Sequence, residues 1–421
     1  MLKRIQVLFI FALVITSTRF FGANFLNHSF VNYSQFAIAF LAIAISLPYF
    51  FSKPTGFIFP VQVITVAIVI SVFMAYVSWG QSFKHTLLIT IPMLLWPFFF
   101  YLNHFKISVK LIEKIILFYG GMYILIYFYQ YTHPDVVLFG KSLWGDEFVE
   151  DRGVLRITPP GGAMFFLAVF ISLNKFTTAI KGRWIWLPLI IFGLIIPVMQ
   201  VTRITLFGVG IIYIFHFLRG KNIPKQVIMM ISCVLIVLCM SIFYTEIKQL
   251  NGMVEAQQQT AQEGKEYIRV LAGTYFLTEF SPANINVILG NGVPYINFTF
   301  YGRFLEMLNE QYGYYLEDMG IIAIYVMYGI MGVVAYILIW IKSFIYKLPK
   351  EYQYVKYNLF FLFLSGFTTD NLHTPEFLLS TVFALYIYQA IRKDLIKQNQ
   401  IEHYINSLDF TVPVPKPLIT A

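Results

Sequence analysis

Residues 319–341 read MGIIAIYVMYGIMGVVAYILIWI. The stretch holds no charged residue, and Glu317, Asp318 and Lys342 bound it. An α-helix needs about 20 apolar residues to cross hydrocarbon, and this one has enough. Working outward, comparable stretches lie at 5–22, 35–52, 57–79, 85–103, 109–131, 158–175, 184–200, 202–218, 226–245, 355–369 and 375–391. Together they predict an all-α polytopic membrane protein of about twelve transmembrane helices. The span at 355–369 is the weakest, and the connection at 200–202 is very tight. The first stretch follows Lys3 and Arg4 and has no small-residue cleavage site, so it reads as a retained helix and not as a signal peptide.

Composition agrees. Hydrophobic residues make up 58% of the chain and charged residues only 12%, about half the usual charged share of a soluble domain. Charge is expensive in hydrocarbon, which explains the deficit. The 44 Phe and 28 Tyr suit lipid-facing bulk and interfacial belts and are no sign of a cofactor. A net charge of +9 is compatible with nucleic acid, but its distribution points elsewhere. With both termini in the cytoplasm, inner loops and helix ends take 20 of the 30 basic residues and 5 of the 21 acidic ones. The positive-inside rule then agrees with the helix count. Cys233 and Cys239 sit in one apolar stretch and read as small helix residues. No CxxC, HExxH, GxxxxGK[ST] or GxGxxG motif occurs, which weakens zinc-protease, ATPase and dinucleotide readings.

The chain therefore divides into helices one to nine (1–245), a long outer loop (246–318), helices ten to twelve (319–391) and a cytoplasmic tail (392–421). The tail ends in the Pro-rich segment 412–417, expected to be extended. Within the loop, 248–265 is rich in Gln, Glu and Gly and is expected to be exposed. Two amphipathic helices are predicted over the bundle mouth. One spans 266–280, with Ile268, Leu271 and Tyr275 on its apolar face; the other spans 300–312, with Phe300, Phe304, Leu308 and Tyr312. The segment Gly290-Asn291-Gly292-Val293-Pro294 between them reads as a breaker. No internal repeat is found, which counts mildly against transporters built from two related halves.

The outward arginines run against the orientation bias: Arg152, Arg156, Arg203, Arg269 and Arg303. Arg203 is the sharpest, standing between two apolar stretches at a predicted helix start. Its planar fork matches phosphate oxygens two at a time, and backbone N–H groups there also favour an anion. The blander reading is an arginine that snorkels to anchor the helix end. Arg303 has Glu306 and Glu310 three and seven residues on, which suggests a plain helix-surface salt bridge. Glu310, Glu317 and Asp318 cluster where the loop closes. A carboxylate there could take a proton from a sugar hydroxyl, or Glu317 and Asp318 could simply favour a helix N-terminus. Asp370 reads as a solvated loop residue. Asp146, Glu147, Glu150 and Asp151 read as a solvated rim, with a Mg²⁺ site as the alternative, although their spacing matches no recognisable ligand pattern. His28, His85, His133 and His373 read as interfacial side chains, and none lies in the long loop.

The order of these features resembles the bacterial O-antigen polymerase and O-antigen ligase superfamily, the Wzy-type polymerases most. The landmarks run from about 150 to 335. They are Arg152 to Gly161 with Pro159 and Pro160, the pair Thr202-Arg203, Arg269 on an early loop helix, Gly290-Asn291-Gly292, and Glu317-Asp318 before a helix punctuated by Gly320, Gly329 and Gly332. Residues before 150 match only as hydrophobic helices. The resemblance implies a metal-independent glycosyltransferase without cofactor, in the bacterial inner membrane. Its substrate would be an oligosaccharide on undecaprenyl pyrophosphate, presented at the periplasmic face. Membrane lipids, a chain-length regulator and a flippase are the implied partners. Arg152, Arg156, Arg203, Arg269 and Arg303 would bind the pyrophosphate, and Glu310, Glu317 or Asp318 would act as base. Ligases of this superfamily usually carry a loop His; its absence here favours the polymerase. A ligase, and a lipid-linked oligosaccharide flippase or other transporter, remain as alternatives. A glycosyltransferase using a lipid-monophosphate sugar is disfavoured, because residues 22–34 hold no acid.

Overall fold

The computed structural model describes residues 2–140, 150–151, 154–155, 157–179, 181–200, 202–218, 267–296 and 298–408. The expected helix at 226–245 with Cys233 and Cys239, the stretch 248–265, Asp146, Glu147, Arg152, Arg156 and the segment 412–417 lie outside them.

The described chain is helical apart from one two-residue antiparallel pair, Glu150–Asp151 with Val154–Leu155. Its main helices are α1 (Leu2–Ser17), α2 (His28–Ser46), α3 (Ile58–Trp79), α4 (Phe83–Met93), α5 (Phe98–Phe105), α6 (Val109–Thr132), α7 (Gly162–Thr178), α8 (Leu187–Met199), α9 (Arg203–Leu218), α10 (Ile268–Thr278), α11 (Asn284–Leu289), α12 (Phe300–Tyr312), α13 (Ile321–Ile345), α14 (Tyr354–Ser365) and α15 (Pro375–Leu408). Of these, α2, α3, α6 and α13 are long and apolar enough to cross a membrane, and α4 with α5 adds a fifth if the bent pair counts as one span. The protein is thus an α-helical, membrane-embedded chain; α1, α7, α8, α9 and α10 are apolar but shorter.

Three expected helices differ in form. The first ends at Ser17, because Arg19, Phe20 and Phe21 take left-handed backbone angles. Asn24 then pins the turn, its backbone N–H donating to the Leu138 carbonyl at 2.9 Å and its side chain to the Val137 carbonyl at 2.9 Å. The second begins at His28 instead of 35, where the Asn27 side chain caps it by accepting from the Ser29 N–H at 2.8 Å. The stretch 85–103 is broken into α4 and α5, bent by 42°. Pro92 and Pro97 account for the break, since each removes a donor and the residue before a proline avoids helical angles.

At one end of the bundle, which we call the tail end, Phe57 N–H donates to Gln389 Oε1 at 3.0 Å and Lys342 Nζ to the Gly56 carbonyl at 2.6 Å. Lys53, Lys347 and Lys350 lie in the connections there, and the guanidinium of Arg392, on α15, sits 3.5 Å from the Tyr346 ring centre. At the opposite, loop end, residues 22–24 meet 137–140, and Gly161 meets Glu376. Successive long helices alternate between the two ends.

At the centre stands α7, where every side chain from Ala163 to Asn174 is buried. A helix apolar all round belongs inside a bundle. Its last turn carries Lys175, which pairs with Glu113 of α6 at 2.5 Å, and Tyr354 donates to the same carboxylate at 2.7 Å. A half-buried charge pair needs such a third partner to offset its desolvation.

α13 is interrupted at Gly329, whose φ of 67° and ψ of −170° leave the helical region. The break frees carbonyls, and the breaker segment satisfies them: Asn291 N–H donates to Val326 at 2.8 Å and Gly292 N–H to Met327 at 2.9 Å. The Asn291 side chain also donates to Val326 at 3.1 Å and accepts from Trp79 Nε1 at 3.1 Å. The expected breaker is therefore a plug seated between α3 and α13.

Candidate functional site

Both predicted loop helices form, as α10 and α12, but their buried faces are shifted. α10 buries Ala272, Gly273 and Phe276, and leaves Ile268 and Leu271 exposed. α12 buries Tyr301, Gly302, Leu305 and Leu308, and leaves Phe300 and Tyr312 exposed. The cause is the plug beneath α12. Tyr301 stacks on Trp79 with centroids 4.7 Å apart and donates its hydroxyl to the Gly292 carbonyl at 3.1 Å. A Cβ on Gly302 would meet the Tyr295 carbonyl, so that face must lie flat on the plug. The Thr299 hydroxyl starts the helix by accepting from the Gly302 N–H at 3.0 Å.

Under α12 lies a cavity of about 410 Å³. Glu306 and Asn309 of α12 form its roof, Tyr314, Tyr315 and Glu317 one wall, Pro294 and Tyr295 another, and Ile89, Met93, Met327 and His373 also line it. Of the expected bases, Glu317 lines this space. Asp318 instead accepts from Arg269 at 2.9 Å, which ties α10 to the start of α13. Both partners of that pair are more than a third exposed, so its worth is about 0–1 kcal/mol and its role is one of position. Glu310 is exposed and outside the cavity wall. Arg303 is exposed too, and among the described residues no ion pair joins it to Glu306 or Glu310, so the expected helix-surface bridge does not form. Arg203 opens α9, half-buried. The loop before it is fixed by Gln200, whose amide donates to Tyr123 Oη at 3.0 Å and to the Ile157 carbonyl at 3.3 Å.

Two further groups come from the connection before α15, and sequence reasoning set both aside. Asp370 is half-buried, not a solvated loop residue; burial first, then the nearby Glu317 charge, pushes its carboxyl up to about 6. His373 is 7% exposed, with its Nδ1 unpartnered among the described residues, and burial lowers its imidazole to about 4. Glu376, at the start of α15, accepts from the Gly161 N–H and so joins the start of α7 to the same region. The only signal in the sequence was proximity: Asp370, His373 and Glu376 lie three residues apart. Among the described residues, no group of three or more His, Cys, Asp or Glu is arranged to hold a metal ion.

The two shifted groups act on stability in opposite directions. The folded state holds the Asp370 proton up to about pH 6, so this group's contribution falls as pH rises from about 4 to 6. The folded state keeps His373 neutral down to about pH 4, so its contribution rises with pH up to its unfolded value of 6.5. They offset in the intact protein. Asp370→Asn should leave a melting temperature that climbs by a few degrees from pH 4.5 to 6, and His373→Asn one that falls over the same window. Thermal melts in detergent at five pH values check this, and parallel flat profiles for both variants would show that neither group is buried as described.

No protein-family model and no curated protein matches this chain.

Proposed function

We propose that the chain is an inner-membrane glycosyltransferase that polymerises undecaprenyl-pyrophosphate-linked oligosaccharide units into O-antigen or a related surface polysaccharide. In this reading both termini are cytoplasmic, about twelve helices span the bilayer, and the loop end faces the periplasm. The observation that carries it is the half-open cavity under α12. Glu306 and Glu317 line it, and in this reading the lipid-linked sugar arrives at that end. An acceptor hydroxyl attacks the anomeric carbon of the donor glycan, and the bond from that carbon to the pyrophosphate oxygen breaks. A carboxylate such as Glu317 takes the hydroxyl proton. Arg203, at the start of α9, is the cation assigned to the developing pyrophosphate charge. Bond energy stored in the lipid pyrophosphate drives the transfer, so no nucleotide is needed.

One observation favours the ligase as a second reading. His373 supplies the cavity with the imidazole that the long loop lacks. Deletion of the gene in the source bacterium separates the two. A polymerase defect leaves lipid A–core with one repeat unit and no ladder on a gel. A ligase defect leaves bare core while long chains accumulate on undecaprenyl pyrophosphate. An unchanged ladder would sink both.

A further inference from the structure

The cavity under α12 contains two buried polar atoms without a hydrogen-bond partner among the described residues, Asn309 Oδ1 and His373 Nδ1. They come from α12 and from the connection before α15, so two separate elements bring them to one space. A buried polar atom left unpaired costs free energy, and native proteins rarely tolerate one without use. An apolar occupant would leave both costs in place, whereas a molecule with several hydroxyl groups would remove both. Asn309 Oδ1 is an acceptor, and His373 Nδ1 accepts or donates according to its tautomer.

The walls narrow the choice. Tyr295, Tyr314 and Tyr315 present aromatic surface, which suits the C–H faces of a sugar ring. Tyr295 is held in place, its ring stacked on His85 with centroids 4.8 Å apart and its backbone N–H donating to Gln81 Oε1 at 2.9 Å. A volume of about 410 Å³ falls within the roughly 300–1,000 Å³ of small-molecule sites. Glu306 and Glu317 are the acidic residues of the wall, and among the described residues no lysine or arginine lines it. A phosphate or a uronic acid would meet like charge, with no lysine or arginine of the described lining to offset it.

We infer that this cavity is a sugar subsite that takes the glycan part of the substrate and rejects both its pyrophosphate and acidic sugars. Asn309 and His373 bind ring hydroxyls, the tyrosines stack on the ring, and the two glutamates set the charge selection. The inference rests on the glycosyl-transfer reading and adds to it that the sugar seated here carries no acidic group.

The test is saturation-transfer NMR on the full chain in nanodiscs, with chitotriose, maltotriose, the trimer of glucosamine and trigalacturonic acid as probes. At least one of the first three should bind, and trigalacturonic acid should not. Asn309→Leu and His373→Phe should each weaken the bound probe tenfold or more, while His373→Asn, which restores a polar atom near Nδ1, should keep most of the binding. Thermal melts of each variant show that it is folded. Equal binding of trigalacturonic acid, binding untouched by either apolar substitution, or no transfer from any of the first three overturns the inference. The deletion phenotype is independent of this result. Glycan binding with an intact polymer ladder would keep the subsite and remove the polymerase, and a lost ladder without glycan binding would do the reverse.

Discussion

In cells that carry Arg203→Ala the polysaccharide ladder should vanish while the protein persists at its normal level. Arg203 is the first residue of α9, where the helix dipole disfavours a positive side chain. Its charge therefore does not serve the helix itself, and the protein level in the alanine strain separates loss of the site from loss of the fold. A donor aimed at developing charge is worth about 10²–10³ in rate, enough to take a ladder below detection. The guanidinium offers a flat pair of donors, and an ammonium offers a point charge. Arg203→Lys should thus recover only a few short rungs. A ladder of normal length in the alanine strain would remove Arg203 from the site, and full recovery with lysine would reduce its role to charge alone.

Gly329→Ala should abolish folded protein. At a φ of 67° and ψ of −170° the backbone is one that only glycine occupies readily. A Cβ there would lie 2.2 Å from the Ile288 carbonyl oxygen, a backbone atom that cannot swing aside. Strain and overpacking together should cost about 3 kcal/mol or more, a large share of the stability of an ordinary domain. Gly121→Ala on α6 is the control, because a Cβ there meets nothing within 4 Å and alanine favours a helix. Size-exclusion profiles of fluorescently tagged protein should show a sharp peak for Gly121→Ala and aggregate for Gly329→Ala. A sharp peak for both would mean that the break in α13 does not need glycine.

Helix positions were largely legible, because long uncharged stretches leave few alternatives in a membrane. The described helices fall on eleven of the twelve expected stretches. Breaks inside stretches were less visible. Pro92 and Pro97 marked the α4–α5 bend in plain sight, but the left-handed run at Arg19 to Phe21 depends on contacts with residues 137–140 and 161. The loop helices were found and misfaced. Apolar spacing alone offers two overlapping stripes on α12, and stacking on Trp79 together with the bond to the Gly292 carbonyl turns Tyr301 inward. The candidate site was legible in its carboxylate Glu317 and not in its partners. The joining of Arg269 to Asp318, and of His373 to the space under α12, is a long-range fact that no local pattern encodes.

The plug between α3 and α13 bears on how this chain can be taken apart. Asn291 and Gly292 complete the backbone bonding of a helix that begins some thirty residues later. Cutting the outer segment away would expose two carbonyls deep in the bundle, and transplanting it onto a relative would require a recipient with the same gap in its helix. Chimeras should therefore join after α13, leaving 284–296 with its own α3 and α13. A soluble fragment spanning only the outer segment would lack the surface on which it folds.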